Sequence, residues 1–146
     1  MRRFAGVVLG GVLAQAAILG TFGQLSPHHP GAVVVAFRVS TTGLIGGYVA
    51  AALGTHHPLR TATAAGASAG VGVGVAFWWT VLYGDTVGVF HQLHYVLATA
   101  PIPGRLVRTA PRAVAAVAAL LVAAAFTAGG YLGGWMVATT RAARRD

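Results

Sequence analysis

A few polar side chains interrupt an otherwise apolar sequence, and these are the residues that could do chemistry. Arg38 lies well inside an apolar stretch, Asp85 is one of two acidic residues, and His91 and His94 are three residues apart. An arginine in the middle of a membrane span costs about 2.5–3.5 kcal/mol, so it needs a partner or must reach the membrane surface. We therefore expect Arg38 to pair with Asp85, directly or through water. The pair would belong to an ion path, or it would be a structural ion pair; alternatively, the Arg38 side chain simply reaches the membrane surface.

His91 and His94 could bind a metal or relay protons, because imidazole titrates near neutral pH and is a common metal ligand. Two histidines lack the third and fourth ligands of a zinc site, and the chain contains no cysteine. We therefore favour a solvated helix face, and we predict no metal and no cofactor. A second histidine motif, His-His-Pro, occurs at 28–30 and again at 56–58. One predicted span separates the copies and puts them on opposite membrane faces.

Other kinds of catalytic site lack their residue types. The sequence has no Cys, Glu or Lys, which excludes thiol nucleophiles, paired glutamates and lysine Schiff bases, and it has no phosphate-binding loop of the Walker type. Haem ligands would lie inside spans, whereas the histidines lie in predicted turns or on the segment 85–100. We predict that the protein is not an enzyme.

The composition is that of a protein whose main solvent is lipid. Hydrophobic residues make up 56% of the 146 residues and charged residues only 8%, against about 25% charged in soluble domains. The net charge is +8, and all ten basic residues are arginines, most of which flank apolar stretches. That placement indicates anionic lipid headgroups as the partner rather than nucleic acid.

Four stretches are long enough to cross the ~30 Å hydrocarbon layer as helices. They are residues 4–25, 31–54, 61–84 and 113–138. Residues 85–100 are shorter and more polar, so we expect a short amphipathic helix at the membrane interface, or a continuation of the third span that bends along the surface. The predicted fold is an all-α integral membrane protein, a single transmembrane domain over 1–146. The first stretch also imitates a signal peptide, but its apolar run continues past the cleavage-like site at 14–16, which favours a retained span.

Arginine placement sets the expected orientation, because cytoplasmic flanks are enriched in basic residues. We predict a multi-pass protein of the cell membrane with a cytoplasmic N-terminus. With four spans, six arginines fall on the cytoplasmic side and three outside, and a fifth span at 85–100 gives the same numbers. Charge therefore leaves the number of spans open, and the length of 85–100 favours four.

Glycines four residues apart recur along the predicted spans. On a helix this spacing places the glycines on one face, where a second helix can approach closely. The predicted packing positions are Gly43, Gly47, Gly66, Gly70, Gly74, Gly129 and Gly133.

Two of these glycine-rich stretches also carry a family resemblance. They are Gly43-Leu44-Ile45-Gly46-Gly47-Tyr48-Val49 and Ala64-Ala65-Gly66-Ala67-Ser68-Ala69-Gly70, joined by a short basic turn. Together they resemble the glycine-rich helical hairpin of small haloarchaeal membrane proteins of unknown function. The sequence departs from that pattern in lacking acidic loops. The resemblance implies a small multi-span membrane protein with no assigned activity.

The sequence thus predicts a small non-enzymatic membrane protein with a structural, assembly or accessory role. Its helices would pack with one another and with further copies of the chain or a membrane partner protein. The alternative is a channel or transporter-like subunit for protons or small ions, using Arg38, Asp85, His91 and His94.

Overall fold

The computed structural model describes residues 2–25, 29–54, 56–86 and 88–144, and almost all of them are helical. Six α-helices follow one another along these ranges: α1 (Arg2–Gln24), α2 (Ala32–Leu53), α3 (Pro58–Tyr83), α4 (His91–Thr99), α5 (Gly104–Thr109) and α6 (Pro111–Ala143). A single 3-10 turn, Gly88–Phe90, leads into α4. The described part of the chain contains no β-strand.

Four of the helices, α1, α2, α3 and α6, are long and apolar enough to cross a membrane. The predicted all-α fold with four candidate spans is therefore confirmed. The observed ends differ from the predicted ones by a few residues, because α3 and α6 begin earlier, at Pro58 and Pro111. Proline suits the first turn of a helix, where the missing N–H would have no partner within the helix.

The segment 85–100 is not a fifth span. Its helix α4 has nine residues, far fewer than the ~20 needed to cross the hydrocarbon layer. Leu93, Val96 and Leu97 of α4 pack on the core formed by the long helices. The six-residue helix α5, which follows Pro103, was not predicted.

α6 packs against both α2 and α3, which also contact each other, and makes its most extensive contacts with these two helices. It runs parallel to α2, since Gly43 meets Phe126 and Gly47 meets Gly130 further along both helices. α1 packs against α2 and α3 on the other side of that pair.

Relative to α3, α6 runs antiparallel, because Gly66 meets Phe126 while Gly74 meets the earlier residue Ala119. The end of the bundle where α1 and α3 finish and α2 and α6 begin also carries α4 and α5. We term it the α4 end.

Candidate functional site

The predicted packing glycines of α3 face the backbone of α6. A methyl carbon added at Gly70 would lie 2.8 Å from the carbonyl oxygen of Ala123, and one added at Gly74 would lie 2.8 Å from that of Ala119. At Gly66 it would lie 2.6 Å from the carbonyl oxygen of Phe126. Carbon atoms do not approach oxygen so closely without repulsion. The two backbones can therefore meet only because these positions lack side chains.

The predicted packing glycines of α2 and α6 face one another's backbones in the same way. A methyl carbon at Gly47 would lie 2.5 Å from the Cα of Gly130, and one at Gly133 would lie 2.6 Å from the amide nitrogen of Tyr48. Gly43 faces the backbone of Phe126, and Gly129 faces that of Ser40 and Leu44. α6 thus carries two glycine ridges, 129/133 toward α2 and 130/134 toward α3.

A further close contact, between α1 and α2, has no four-residue glycine spacing to reveal it. Gly46 faces the side chain of Gln15, and a methyl carbon at Gly11 would lie 2.7 Å from the carbonyl oxygen of Gly46. Four residues after Gly11 comes Gln15, and four residues after Gly46 comes Ala50, so neither glycine has a glycine at that spacing. The sequence signal for this contact is Gln15, an isolated polar residue in the middle of the apolar helix α1.

Gln15 is 1% exposed, although it lies midway along α1. Its Nε2 donates to the carbonyl oxygen of Gly11 at 3.2 Å. Its Oε1 is buried and has no hydrogen-bond partner among the residues described. A buried acceptor without a donor costs about 1–3 kcal/mol, because it has lost the hydrogen bonds that water would supply.

We expect the Gln15→Met variant to be as stable as the native protein or more stable by about 1 kcal/mol, because methionine keeps the length and removes the unpaired acceptor. The free energy of unfolding in mixed detergent micelles measures this change. Gln24→Met, at an exposed position at the end of the same helix, is the matched control. A loss of stability at Gln15 well beyond the control would mean that the amide oxygen makes a needed polar contact.

At the α4 end, Arg38 and Gln92 form a polar cluster that ties three helices together. Arg38 Nη1 donates to Gln92 Oε1 at 2.8 Å and to the carbonyl oxygen of Leu25 at 3.5 Å. Gln92 Nε2 donates to the carbonyl oxygens of Phe22 and Leu25 at 3.1 and 3.4 Å. These carbonyls lie at the end of α1, where a helix leaves carbonyls without their usual N–H partners four residues on. That of Phe22 also accepts from the backbone N–H of Leu25 at 3.2 Å. We term this cluster the Arg38–Gln92 node.

The node corrects the expectation that Arg38 pairs with Asp85. No ion pair between these two residues is recorded in the described ranges, and Asp85 is exposed just beyond the end of α3. Gln92 suits the position better because an amide accepts from the guanidinium and also donates to the carbonyls at the end of α1, which a carboxylate cannot do. The helical spacing of 85–100 also places Gln92 on the polar face with His91 and His94, where we expect contact with water. That expectation is wrong at Gln92, which is only 7% exposed.

The two histidines of α4 bond to nearby backbone. His91 Nδ1 lies 3.3 Å from the carbonyl oxygen of Gly88, and His94 Nδ1 lies 3.1 Å from that of Phe90. The His94 ring also packs edge-on against Phe77, with 5.1 Å between ring centroids. Both side chains are half-buried. No group of three or more potential metal ligands occurs in the ranges that the structure describes.

The His-His-Pro motifs lie at opposite ends of α2. In the first copy, His28 lies outside the described residues, and the His29 ring is 4.7 Å from that of Tyr95 in α4. In the second copy, His57 precedes α3 with a left-handed backbone, φ 52° and ψ 60°. The two motifs therefore do not form one site.

At the end opposite α4, Arg141 caps α2. Its Nη2 donates to the carbonyl oxygens of Ala51, Ala52 and Gly54 at 3.0, 3.2 and 2.8 Å. A cation at a helix C-terminus is favourable because the unpaired carbonyls carry partial negative charge. One arginine therefore closes the end of α2, just as the Arg38–Gln92 node closes the end of α1.

These features define an all-α protein with four helices able to span a membrane, joined by glycine contacts and closed at two helix ends by arginine. A scan against protein-family models, a search of curated proteins and a search of solved structures each gave no match. The resemblance to small haloarchaeal membrane proteins therefore stays a prediction.

Proposed function

We propose that this chain is a non-enzymatic, multi-pass component of the cell membrane with a structural or accessory role and a cytoplasmic N-terminus. The observation that carries the proposal is the backbone-to-backbone packing of α6 on α2 and α3 through glycines. Such packing in lipid favours a rigid helical unit. Glycine has no side chain, so bringing the helices together restricts little side-chain motion.

The packing glycines are occupied by contacts within the chain. Gly70 meets α6, and Gly47 meets the same helix from the other side. A second copy or a membrane partner would therefore bind the outer, lipid-facing surfaces of the helices. Anionic headgroups are the remaining partner that the net charge of +8 supports.

The alternative role in proton or ion transport has less support from the geometry. Arg38, Asp85, His91 and His94 all belong to the α4 end of the bundle. One helical turn further in, Thr42 is fully buried and donates its hydroxyl to the carbonyl oxygen of Arg38 at 2.8 Å. Beyond Thr42, Gly43 meets the backbone of α6. Main-chain atoms therefore fill the space between Arg38 and the centre of the bundle.

A flux measurement separates the two roles. We expect purified protein in vesicles loaded with a pH-sensitive dye to show the same proton flux under a potassium diffusion potential as protein-free vesicles. A protonophore added at the end is the positive control. A potential-driven flux that disappears in Arg38→Gln or His94→Ala would establish the transport role instead.

A further inference from the structure

A cavity of about 600 Å³, partly open to the outside of the bundle, lies at the α4 end between α2 and α6. α4 and α5 fold over one side of it, through residues that include Leu93 and Leu106. All its lining residues are Ala, Val, Leu, Ile or Phe. We term it the apolar chamber.

The dimensions of the apolar chamber match one lipid chain in one leaflet. Its α6 wall runs from Ala113 to Ala125, about 18 Å at 1.5 Å per residue. This is close to half of the ~30 Å hydrocarbon core. The volume also falls within the ~300–1,000 Å³ typical of small-molecule sites. The apolar walls suit an acyl chain, because their side chains have no donor or acceptor for the polar groups of a ligand.

Positive charge lies beside the chamber. Arg105 and Arg108 flank Leu106, which lines the chamber, and Arg112 directly precedes the lining residue Ala113. All three arginines are exposed. Asp85 is the one acidic side chain in the described ranges and lies at the same end of the bundle, but it forms no ion pair with these arginines there. Guanidinium groups bind phosphate oxygens well, because two parallel N–H groups match two oxygens.

We propose that the apolar chamber binds one anionic phospholipid, with an acyl chain between α2 and α6 and its phosphate on Arg105, Arg108 and Arg112. The charge favours a lipid with net negative charge over a zwitterionic one. A quinone is a poorer match, because its carbonyl groups would find no donor on the apolar walls.

The first test fills the chamber. Native mass spectrometry of protein released from bilayer discs of equal phosphatidylglycerol and phosphatidylcholine counts the retained lipid. We expect one phosphatidylglycerol per chain, roughly tenfold enriched over phosphatidylcholine. Ala118→Trp, whose residue lines the chamber, should abolish the retention. Leu120→Trp, on the same helix, 68% exposed and outside the lining, should preserve it.

A second variant keeps the test decisive if Ala118→Trp fails to fold. Ala36→Leu narrows the same chamber from the α2 wall with a smaller added volume, and it should also reduce the retained lipid.

The second test removes charge. The Arg105→Gln/Arg108→Gln variant should lower the preference for phosphatidylglycerol about tenfold. Arg3→Gln/Arg144→Gln, which removes the same charge at the opposite end of the bundle, should not. Three results would overturn the proposal: equal retention of both phospholipids, retention that survives both Ala118→Trp and Ala36→Leu, or retention of a fatty acid or isoprenoid in place of the phospholipid.

Discussion

Replacing Gly70 by leucine should force α3 away from α6 and destabilise the fold by roughly 3 kcal/mol or more. Even the first carbon of the new side chain would lie 2.8 Å from the carbonyl oxygen of Ala123 and 2.8 Å from the Cβ of Phe126. Overpacking typically costs about 1–3 kcal/mol when neighbouring side chains can shift. Here the obstacle includes backbone, which cannot rotate away, so the cost should be at or above the upper end of that range.

Gly72→Leu is the matched control for this change. It lies two residues further along α3, is exposed, and has nothing within 4 Å of an added methyl carbon. We expect its stability to stay within about 0.5 kcal/mol of the native value. Unfolding in mixed micelles, followed by the fluorescence of Trp78 and Trp79, reports both variants. Equal effects at the two positions would contradict the described contact between α3 and α6.

The second large effect is expected at the Arg38–Gln92 node. Gln92→Leu removes the oxygen that accepts from Arg38 and the N–H groups that satisfy the carbonyls of Phe22 and Leu25. Hydrogen bonds to charged groups contribute about 1.5–3 kcal/mol, so we expect a loss of stability of about 2–3 kcal/mol. The free energy of unfolding measures it, with Thr99→Val, exposed on the same helix, as the control.

A double-mutant cycle tests whether this loss belongs to the pair. Arg38→Leu removes the charge that Gln92 accepts from, so the double variant should be less destabilised than the sum of the two single variants, by about 1 kcal/mol or more. If the two losses simply add, the Arg38–Gln92 hydrogen bond does not stabilise the fold.

The number of candidate spans could be predicted because the length of an apolar run sets whether it can cross a bilayer. That argument correctly rejected residues 85–100 as a span and needed no knowledge of contacts. The glycine spacing on α2, α3 and α6 likewise depends on local helical geometry. The glycine spacing does not predict the Gly46 contact, because Gly46 closely approaches a glutamine side chain rather than a second glycine ridge.

The node could not be predicted, because its partners are distant in sequence. Gln92 bonds to Phe22 and Leu25, which lie 70 and 67 residues earlier. From the pattern of α4 alone, Gln92 belongs to the polar face of an amphipathic helix, and such faces normally meet water. By charge alone, the sequence favours Asp85 as the partner of Arg38. The choice depends instead on the carbonyls of Phe22 and Leu25 at the end of α1, whose position beside Gln92 no sequence pattern displays.

The central place of α6 also has a consequence for how the protein is made. α2 and α3 precede α6 in the chain and therefore leave the ribosome before it, while the glycine faces of both helices contact α6. During synthesis their glycine faces have no partner from their own chain, so lipid or the insertion machinery must cover them for that interval. Biogenesis is then completed when α6 packs against two helices that are already in the bilayer.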